Sequence, residues 1–434
     1  MSMISTATSG LSASQVVMNM ISENVANATT DGYSRQVATL ATTSSGGVTV
    51  SSITRVSSDY LNSQLWDANS EEGYYTSYSE YISSTEDVLS SDSMDINTLL
   101  DSFYSALSAA SASPDDDALR QTVLSTASAV ADGFNYIYET LSSQYDSISD
   151  EIDSSVSSAN DLLSTIADLN DQIATLKASG GDTSSLEDAR DEAVSSLSSL
   201  MEVNVNEEDD GTYTLTLDQG QPLVSGSTAS TLTLNSDGTL TVQYKSQTFT
   251  SSDDIGGSIG GLLDYQNDVL TPTLDTLNEL AASFADALNS AQSSGYDIDG
   301  NSGTAMYTYD SSNAAGTISI VDGFTTDDLA FSGDSSNGSG DNTNLLAMLD
   351  LQDDQEDAYS ALLSDIAVKS SSASSSLTAA SDRVDSIEDS ISSNSGVSSD
   401  EEAANLLVYE EAYTANAKVL SVASELFDTI INMF

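Results

Sequence analysis

Both ends of this chain are written as two apolar rows at helical spacing, and that pattern limits the possible folds more than any other feature. At the N-terminus Ile4, Ala7, Leu11, Ser14, Met18, Ile21, Val25 and Ala28 step by three and four, the a/d rhythm of a coiled-coil helix, while Met3, Gly10, Ala13, Val17 and Met20 run beside them. At the other end Leu406, Glu410, Tyr413, Ala417, Leu420, Ser424, Phe427, Ile431 and Phe434 keep the rhythm, with Ala412, Val419, Ala423, Leu426, Ile430 and Met433 as the second row. A surface helix needs one apolar stripe to seat it on its own domain. Two adjacent stripes require a second partner: the opposite terminal helix of the same chain, or further copies of it. An apolar helix left open is an aggregation hazard, so the pattern implies that both helices pair and also pack against copies in a polymer. The expected contact residues are Ile4, Leu11, Met18, Ile21 and Val25 with Leu406, Tyr413, Leu420, Phe427 and Ile431. In the free chain these helices should be largely unfolded, because an isolated helix gains most of its stability by packing its apolar face.

Between the ends a seam of Tyr145, Ile148, Ile152, Ser155, Ala159, Leu162, Ile166, Leu169, Ile173 and Leu176 holds register over several heptads, which predicts a long rod-like coiled-coil helix. Pro114 before Asp115, Asp116 and Asp117 reads as a helix start, Gly180-Gly181 as a helix end, and Ser184 with Glu187 as a capping box. From Val203 to Phe249 the period changes to two, with Tyr213, Leu215 and Leu217, then Leu232 and Leu234, then Leu240, Val242 and Tyr244. Turn signals at Asp209-Asp210-Gly211 and Asp237-Gly238 separate these runs, as hairpins require. A helix from Leu263 to Ala291, bent near Pro272, follows; then a β-rich stretch from Met306 to Phe331, a Gly/Ser/Asn-rich linker at 333–344, and a last internal helix from Leu362 to Ile391. The predicted fold is mainly α with a small β domain: terminal assembly helices at 1–35 and 400–434, a helical rod domain at 36–202 and 256–399, and an inserted antiparallel β domain at 203–255.

Composition narrows the chemistry. With no His and no Cys, the chain has no Ser-His triad, Cys nucleophile, thiolate or imidazole zinc site, or disulfide. A formal charge of -59, from 68 acids against 9 bases, repels nucleic acid. Copies packed side by side repel each other as well, unless salt shortens the Debye length, so assembly is expected to need a saline or cation-rich setting. Asp297-Ile298-Asp299-Gly300-Asn301 opens like a calcium loop but lacks Gly at the sixth position and has Thr308 at the twelfth, and reads as an Asp/Gly turn. Gly256 to Gly261 lacks phosphate-loop spacing and opens the next helix. Acid pairs such as Asp253-Asp254, Asp327-Asp328 and Asp353-Asp354 are what so acidic a chain shows everywhere, and read as solvated faces. Asn27-Ala28-Thr29 matches a glycosylation acceptor but sits on the helix seam. No secretory signal pattern precedes residue 35, and no apolar run is long enough to cross a membrane. Neither a catalytic residue, a metal site nor a cofactor is expected.

The segment from Ile21 through Asn24-Val25-Ala26-Asn27 to Asp31-Gly32-Tyr33-Ser34-Arg35-Gln36 resembles the N-terminal motif shared by rod, hook and hook-associated proteins, the axial proteins of the bacterial flagellum. Asn405 to Leu420 is similar to their C-terminal partner helix, and Ala423 to Asn432 is similar to the hook-filament junction members of that family. So are Pro114 to Gln121, Ile166 to Ile173, Asp188 to Glu192 and Gly260-Gly261-Leu262-Leu263. The chain departs from the family in its scarcity of Lys and Arg, and in having only the β region 203–249 where many members insert a large outer domain.

The resemblance implies a structural adaptor rather than an enzyme. Its subunits would form a short ring between hook and filament, with terminal helices lining the inner tube and with the hook protein, the second junction protein and other copies of itself as partners. It also implies export through the flagellar type III channel to the cell exterior, an export chaperone covering the C-terminal helix beforehand, and no membrane or nucleic-acid partner. Alternatives within the family are a hook, distal-rod or second junction protein. Outside it, a secreted hydrolase using paired carboxylates would instead need a concave pocket with perturbed acids.

Overall fold

The computed structural model describes residues 3–30, 32–44, 46–91, 94–235, 238–251 and 255–433. Asp31, Asp237, the Asp253-Asp254 pair and Phe434 lie outside the described residues. Helix α1 (Met3–Ala26) leads into a hairpin of β1 (Gln36–Thr42) and β2 (Val48–Arg55), then α2 (Asp59–Leu89), α3 (Ile96–Ala110), α4 (Asp117–Ala178) and α5 (Ser184–Leu200). A run of short strands follows: β3 (Asn204–Glu207), β4 (Tyr213–Thr216), β5 (Pro222–Ser225), β6 (Thr228–Ala229), β7 (Thr231–Leu234), β8 (Leu240–Tyr244) and β9 (Gln247–Ser251). Next come α6 (Gly257–Tyr265), a π turn at Gln266–Leu270 and α7 (Thr271–Ser294). The chain continues through β10 (Tyr307–Thr308), α8 (Ala314–Thr317), β11 (Ser319–Ile320), α9 (Thr343–Leu349), α10 (Gln352–Ser395) and α11 (Ser399–Ile431).

The chain forms two compact units. The first comprises Met1–Tyr74, Ser155–Gly260 and Thr378–Phe434, and so contains both ends of the chain and the strand-rich segment. Besides the β1-β2 hairpin, its strands make two antiparallel sheets, β3-β4-β5-β6 and β7-β8-β9, each strand pairing with its sequence neighbour. Gly256 and Gly257 sit at φ +63° and +57°, and a Cβ on Gly257 would lie 2.3 Å from the Leu200 and Met201 backbone, so only glycine lets α6 begin there. The second unit comprises Tyr75–Ser154 and Gly261–Leu377. Its core stacks Phe103, Phe134 and Tyr307 around Phe284, with ring centroids 5.2 to 6.2 Å apart.

Asp116 caps α4 by accepting from the Ala118 and Leu119 amides at 2.9 and 3.2 Å. The box expected from Ser184 and Glu187 does not form: the N-cap is Thr183, whose hydroxyl donates to the Glu187 carboxylate at 2.8 Å rather than capping a backbone amide, and Asp182 takes the Ser184 amide at 3.0 Å. Near Pro272 the backbone absorbs the missing N–H in the π turn that precedes α7. The stretch expected to be β-rich, Met306 to Phe331, has only the two-residue pair β10 and β11 as strands; the rest of its backbone is satisfied by α8, by turn bonds such as Val321 N–H to the Met306 carbonyl, and by side chains such as Asn289 and Asn135. Asp297 closes a turn on itself, its carboxylate accepting from the Asp299 and Asn301 amides and the Asn301 side chain, with Gly300 at φ +83°.

Along the second half of α4 the buried positions include Ile148, Ile152, Val156, Ala159, Leu163, Ile166, Asn170 and Ile173. Ser155, Leu162 and Leu169, on the seam expected from the sequence, are half-buried. The seam therefore lies one position over in alternate turns, and a buried asparagine belongs to it.

Candidate assembly interface

Helices α1 and α11 pack against each other, closely enough at one point that a Cβ on Gly10 would meet the Asn416 amide at 2.7 Å. The hairpin covers part of α1: Val17, Met20 and Ile21 pack on Ala38, Val50 and Ile53, with Tyr409 of α11 completing the cluster, while Val16 and Val25 stay exposed. Most residues of the N-terminal second row, Gly10, Ala13, Val17 and Met20, are buried, whereas Met3 is exposed.

The turn that joins α1 to β1 is fastened residue by residue. Asn24 is fully buried, donates from Nδ2 to the Gln36 carbonyl at 3.0 Å and accepts the Gln36 amide at 2.9 Å and the Tyr33 hydroxyl at 2.8 Å. The Ser34 amide donates to Asp188 at 3.2 Å, and the Arg35 amide to the Ser395 carbonyl at 2.9 Å. Burial, with Asp188 and Glu23 nearby, pushes the Tyr33 phenol up to about 12. At the far end of β2, Arg55 is held by Glu187 at 3.0 Å, Asp188 at 3.0 Å and Asp191 at 2.6 Å. Burial alone would lower its basicity, but the charge and hydrogen bonds of Asp191, with those of Asp188, raise it. Asp191 also accepts from Asn62 and from the Tyr213 hydroxyl. Beside this cluster opens a cleft of about 610 Å³ bordered by Tyr33, Trp66, Glu192 and Val397, with Arg55 and Asp191 already engaged in its wall.

On α11 only Glu402 and Ala423 are buried. Leu407 and Val408 are 67% and 63% exposed, Phe427 and Ile431 each 57%, and Val419, Val422, Leu426 and Ile430 are also open to solvent. The ten expected contact residues thus fall into three states. Ile21 is buried within its own chain; Ile4, Leu11, Met18, Tyr413 and Leu420 are half-buried; Val25, Leu406, Phe427 and Ile431 are exposed. The roles of Asn24 and Arg55 were not legible from periodicity. Scarcity was the available signal, because Arg55, Arg120 and Arg190 are buried bases in a chain with 9 Lys and Arg in all.

The model for the flagellar hook-associated protein FlgK helical domain matches residues 82–307, more than half of the chain. The chain belongs to the FlgK family of flagellar hook-associated proteins. Models for the flagella basal body rod protein and for the C-terminal part of the basal body rod FlgEFG proteins match 4–33 and 390–433, the two helices that pair here. Flagellar hook-associated protein 1 of Salmonella typhimurium is 29% identical and that of Escherichia coli 28%, each covered end to end with this chain. The Bacillus subtilis protein of the same name is 27% identical over 99% of this chain and 97% of its own. The Salmonella alignment runs over 550 positions against 434 residues here, so 116 of them have no counterpart in this chain. The solved flagellar hook junction protein FlgK of Burkholderia pseudomallei superposes with a TM-score of 0.51 at 28% identity, over 58% of this chain and 47% of that one. This FlgK-family chain is therefore a structural component of the bacterial flagellum, and among its described residues no helix is long and apolar enough to cross a membrane.

Proposed function

We propose that this FlgK-family chain joins the flagellar hook to the filament as a ring of subunits whose α1 and α11 helices line the inner tube. The observation that carries this reading is the ridge of α11, where Leu407, Val408, Val422, Leu426, Phe427, Ile430 and Ile431 stand open on a helix whose other side is already seated on α1. A soluble chain tolerates such a patch when other chains cover it. The occupants are neighbouring copies in the ring, the hook protein at one rim and the second junction protein at the other, and, before export to the cell exterior through the flagellar channel, a chaperone on α11. In this reading Ile21 acts from inside its own chain by seating α1 on the hairpin, while Val25, Leu406, Phe427 and Ile431 face neighbours directly. The adaptor works by shape and adhesion and needs no catalytic group. Electron microscopy of a strain lacking the gene tests the proposal: hooks without filaments, with flagellin shed into the medium, are expected, and normal filaments on a deletion strain would refute it.

A further inference from the structure

Charge is divided very unevenly along the chain. Residues 1–58, which contain α1 and the hairpin, carry Glu23 and Asp31 against Arg35 and Arg55, a formal charge of zero. Residues 412–434, most of the exposed apolar part of α11, carry Lys418 against Glu425 and Asp428, a charge of -1. The remaining -58 of the total -59 lies on residues 59–411. Much of it faces solvent: Asp146, Asp150, Asp153, Asp161, Asp168 and Asp171 are all exposed along α4. The adhesive part of the molecule is thus nearly neutral along α1 and along α11 from residue 412 on, with Asp400, Glu401, Glu402, Glu410 and Glu411 flanking Leu407 and Val408 at the start of α11, and the rest is a polyanion.

This division has a mechanical consequence for any array in which copies sit side by side. Contact between neutral apolar helices is almost insensitive to dilute salt, whereas repulsion between bodies of charge -58 extends as far as the Debye length allows. That length is about 30 Å at 0.01 M salt and about 8 Å at 0.15 M. At low salt each body therefore feels its neighbours beyond contact range, and at moderate salt it does not. Resting on the adaptor reading above, we propose that cation concentration gates the assembly of this protein. The α1 and α11 faces are always competent to stick, and the acidic bodies hold copies apart until counterions screen them. Dilute surroundings keep the chain monomeric despite its open ridge, and a saline exterior permits the ring.

The test uses the full chain added to isolated hooks from the same bacterium, with capped hook ends counted by electron microscopy between 0.01 M and 0.15 M NaCl. Capping by the parent chain should rise by about tenfold or more across this range, in which the Debye length shortens roughly fourfold. A variant with D146N, D150N, D153N, D161N, D168N and D171N together lowers the body charge from -58 to -52. Because repulsion scales with the product of charges, that removes about a fifth of it and should move the transition to lower salt. General salting-out of apolar surface would shift parent and variant alike, so coincident curves overturn the gate, as does equal capping at both salt concentrations. Absence of capping by both chains at every salt concentration would instead remove the adaptor reading on which the gate depends. A Phe427→Asp chain, with the ridge spoiled and the bodies unchanged, should stay uncapped throughout; salt-driven capping by that chain would show that the ridge is not the adhesive face and would overturn the proposal.

Discussion

Four asparagines on helices each clip a strand residue by both backbone groups, offering Nδ2 to the carbonyl and Oδ1 to the amide: Asn24 on Gln36, Asn160 on Leu232, Asn170 on Tyr213 and Asn289 on Tyr307. The amide side chain imitates a neighbouring strand, so a helix face can satisfy backbone groups that burial would otherwise leave unpaired. In the first unit Arg190 reinforces one of these clips, donating from one nitrogen to Asn170 at 3.0 Å and to the Gly211 carbonyl at 2.6 Å, with its guanidinium 3.4 Å from the Tyr213 ring centroid. In the second, Arg120 donates to the carbonyls of Pro114, Thr326 and Leu329. Asn24→Ala strands the Gln36 backbone and the Tyr33 hydroxyl, and should cost about 2–4 kcal/mol of first-unit stability in urea unfolding; a loss below 0.5 kcal/mol would show the clip to be dispensable. Asp341 gives a test in acid. Hydrogen bonds from Thr343 and Ser332, and then from the Gly333 amide and Asn337, hold its carboxyl well below the ordinary carboxylate range. A carboxylate depressed in the folded chain contributes stability that is present above its unfolded value and is lost as pH falls toward the folded one. The Gly333 amide should therefore lose exchange protection, corrected for intrinsic rate, as pH drops from about 5 to about 2; the same amide should be poorly protected and flat with pH in Asp341→Asn. Equal protection profiles in the two chains would contradict that account.

At the scale of elements, α4 shows why polar residues in an apolar seam mislead. Periodicity located the seam to within one position, because buried Ile148, Ile152, Ala159, Ile166 and Ile173 dominate it, but it gave Asn170 no role. Ile166→Ala should cost about 2–5 kcal/mol as a cavity. Asn170→Leu fits the apolar pattern better, yet it strands Arg190, both backbone groups of Tyr213 and the Gly226 carbonyl. It should cost at least as much, at about 1–3 kcal/mol for each buried group left unpaired, and thermal unfolding of both variants decides the order. The helices themselves, the strand run and the pairing of the two ends were all readable, since each follows from local periodicity and punctuation. Two features were not: the near-absence of ladder bonds between 306 and 331, and the fastening of the hairpin, where the decisive contacts join residues as distant as Ser34 and Asp188. The terminal helices also differ in a way that their similar sequence rhythm hides. Contrary to the expectation that both terminal helices are largely unfolded in the free chain, α1, with buried residues from Ala7 to Asn24, should be protected in amide exchange, whereas α11 beyond residue 423 has no buried residue among those described and should exchange fast. Equal protection of the two would mean that something covers the ridge even in the monomer.

For the whole molecule, stability and assembly are lodged in different residues, which makes them separable by mutation. Phe427 is 57% exposed and sits on the open ridge, whereas Ile21, 1% exposed, is locked between helix and hairpin. Phe427→Asp removes little area that the monomer had buried, so its unfolding free energy should stay within about 0.5 kcal/mol of the parent. Ile21→Asp places a carboxylate in a closed apolar cluster and should cost more than about 3 kcal/mol, or shift that carboxyl to its neutral form. If the ridge is the surface on which copies meet, a strain carrying Phe427→Asp should export a folded protein yet produce hooks without filaments, because a ring closed by repeated identical contacts fails at every one of them. Ile21→Asp should instead lower the amount of folded protein exported. Normal filaments in the Phe427→Asp strain, with the protein present at parental levels, would mean that the exposed ridge is not what holds the junction together.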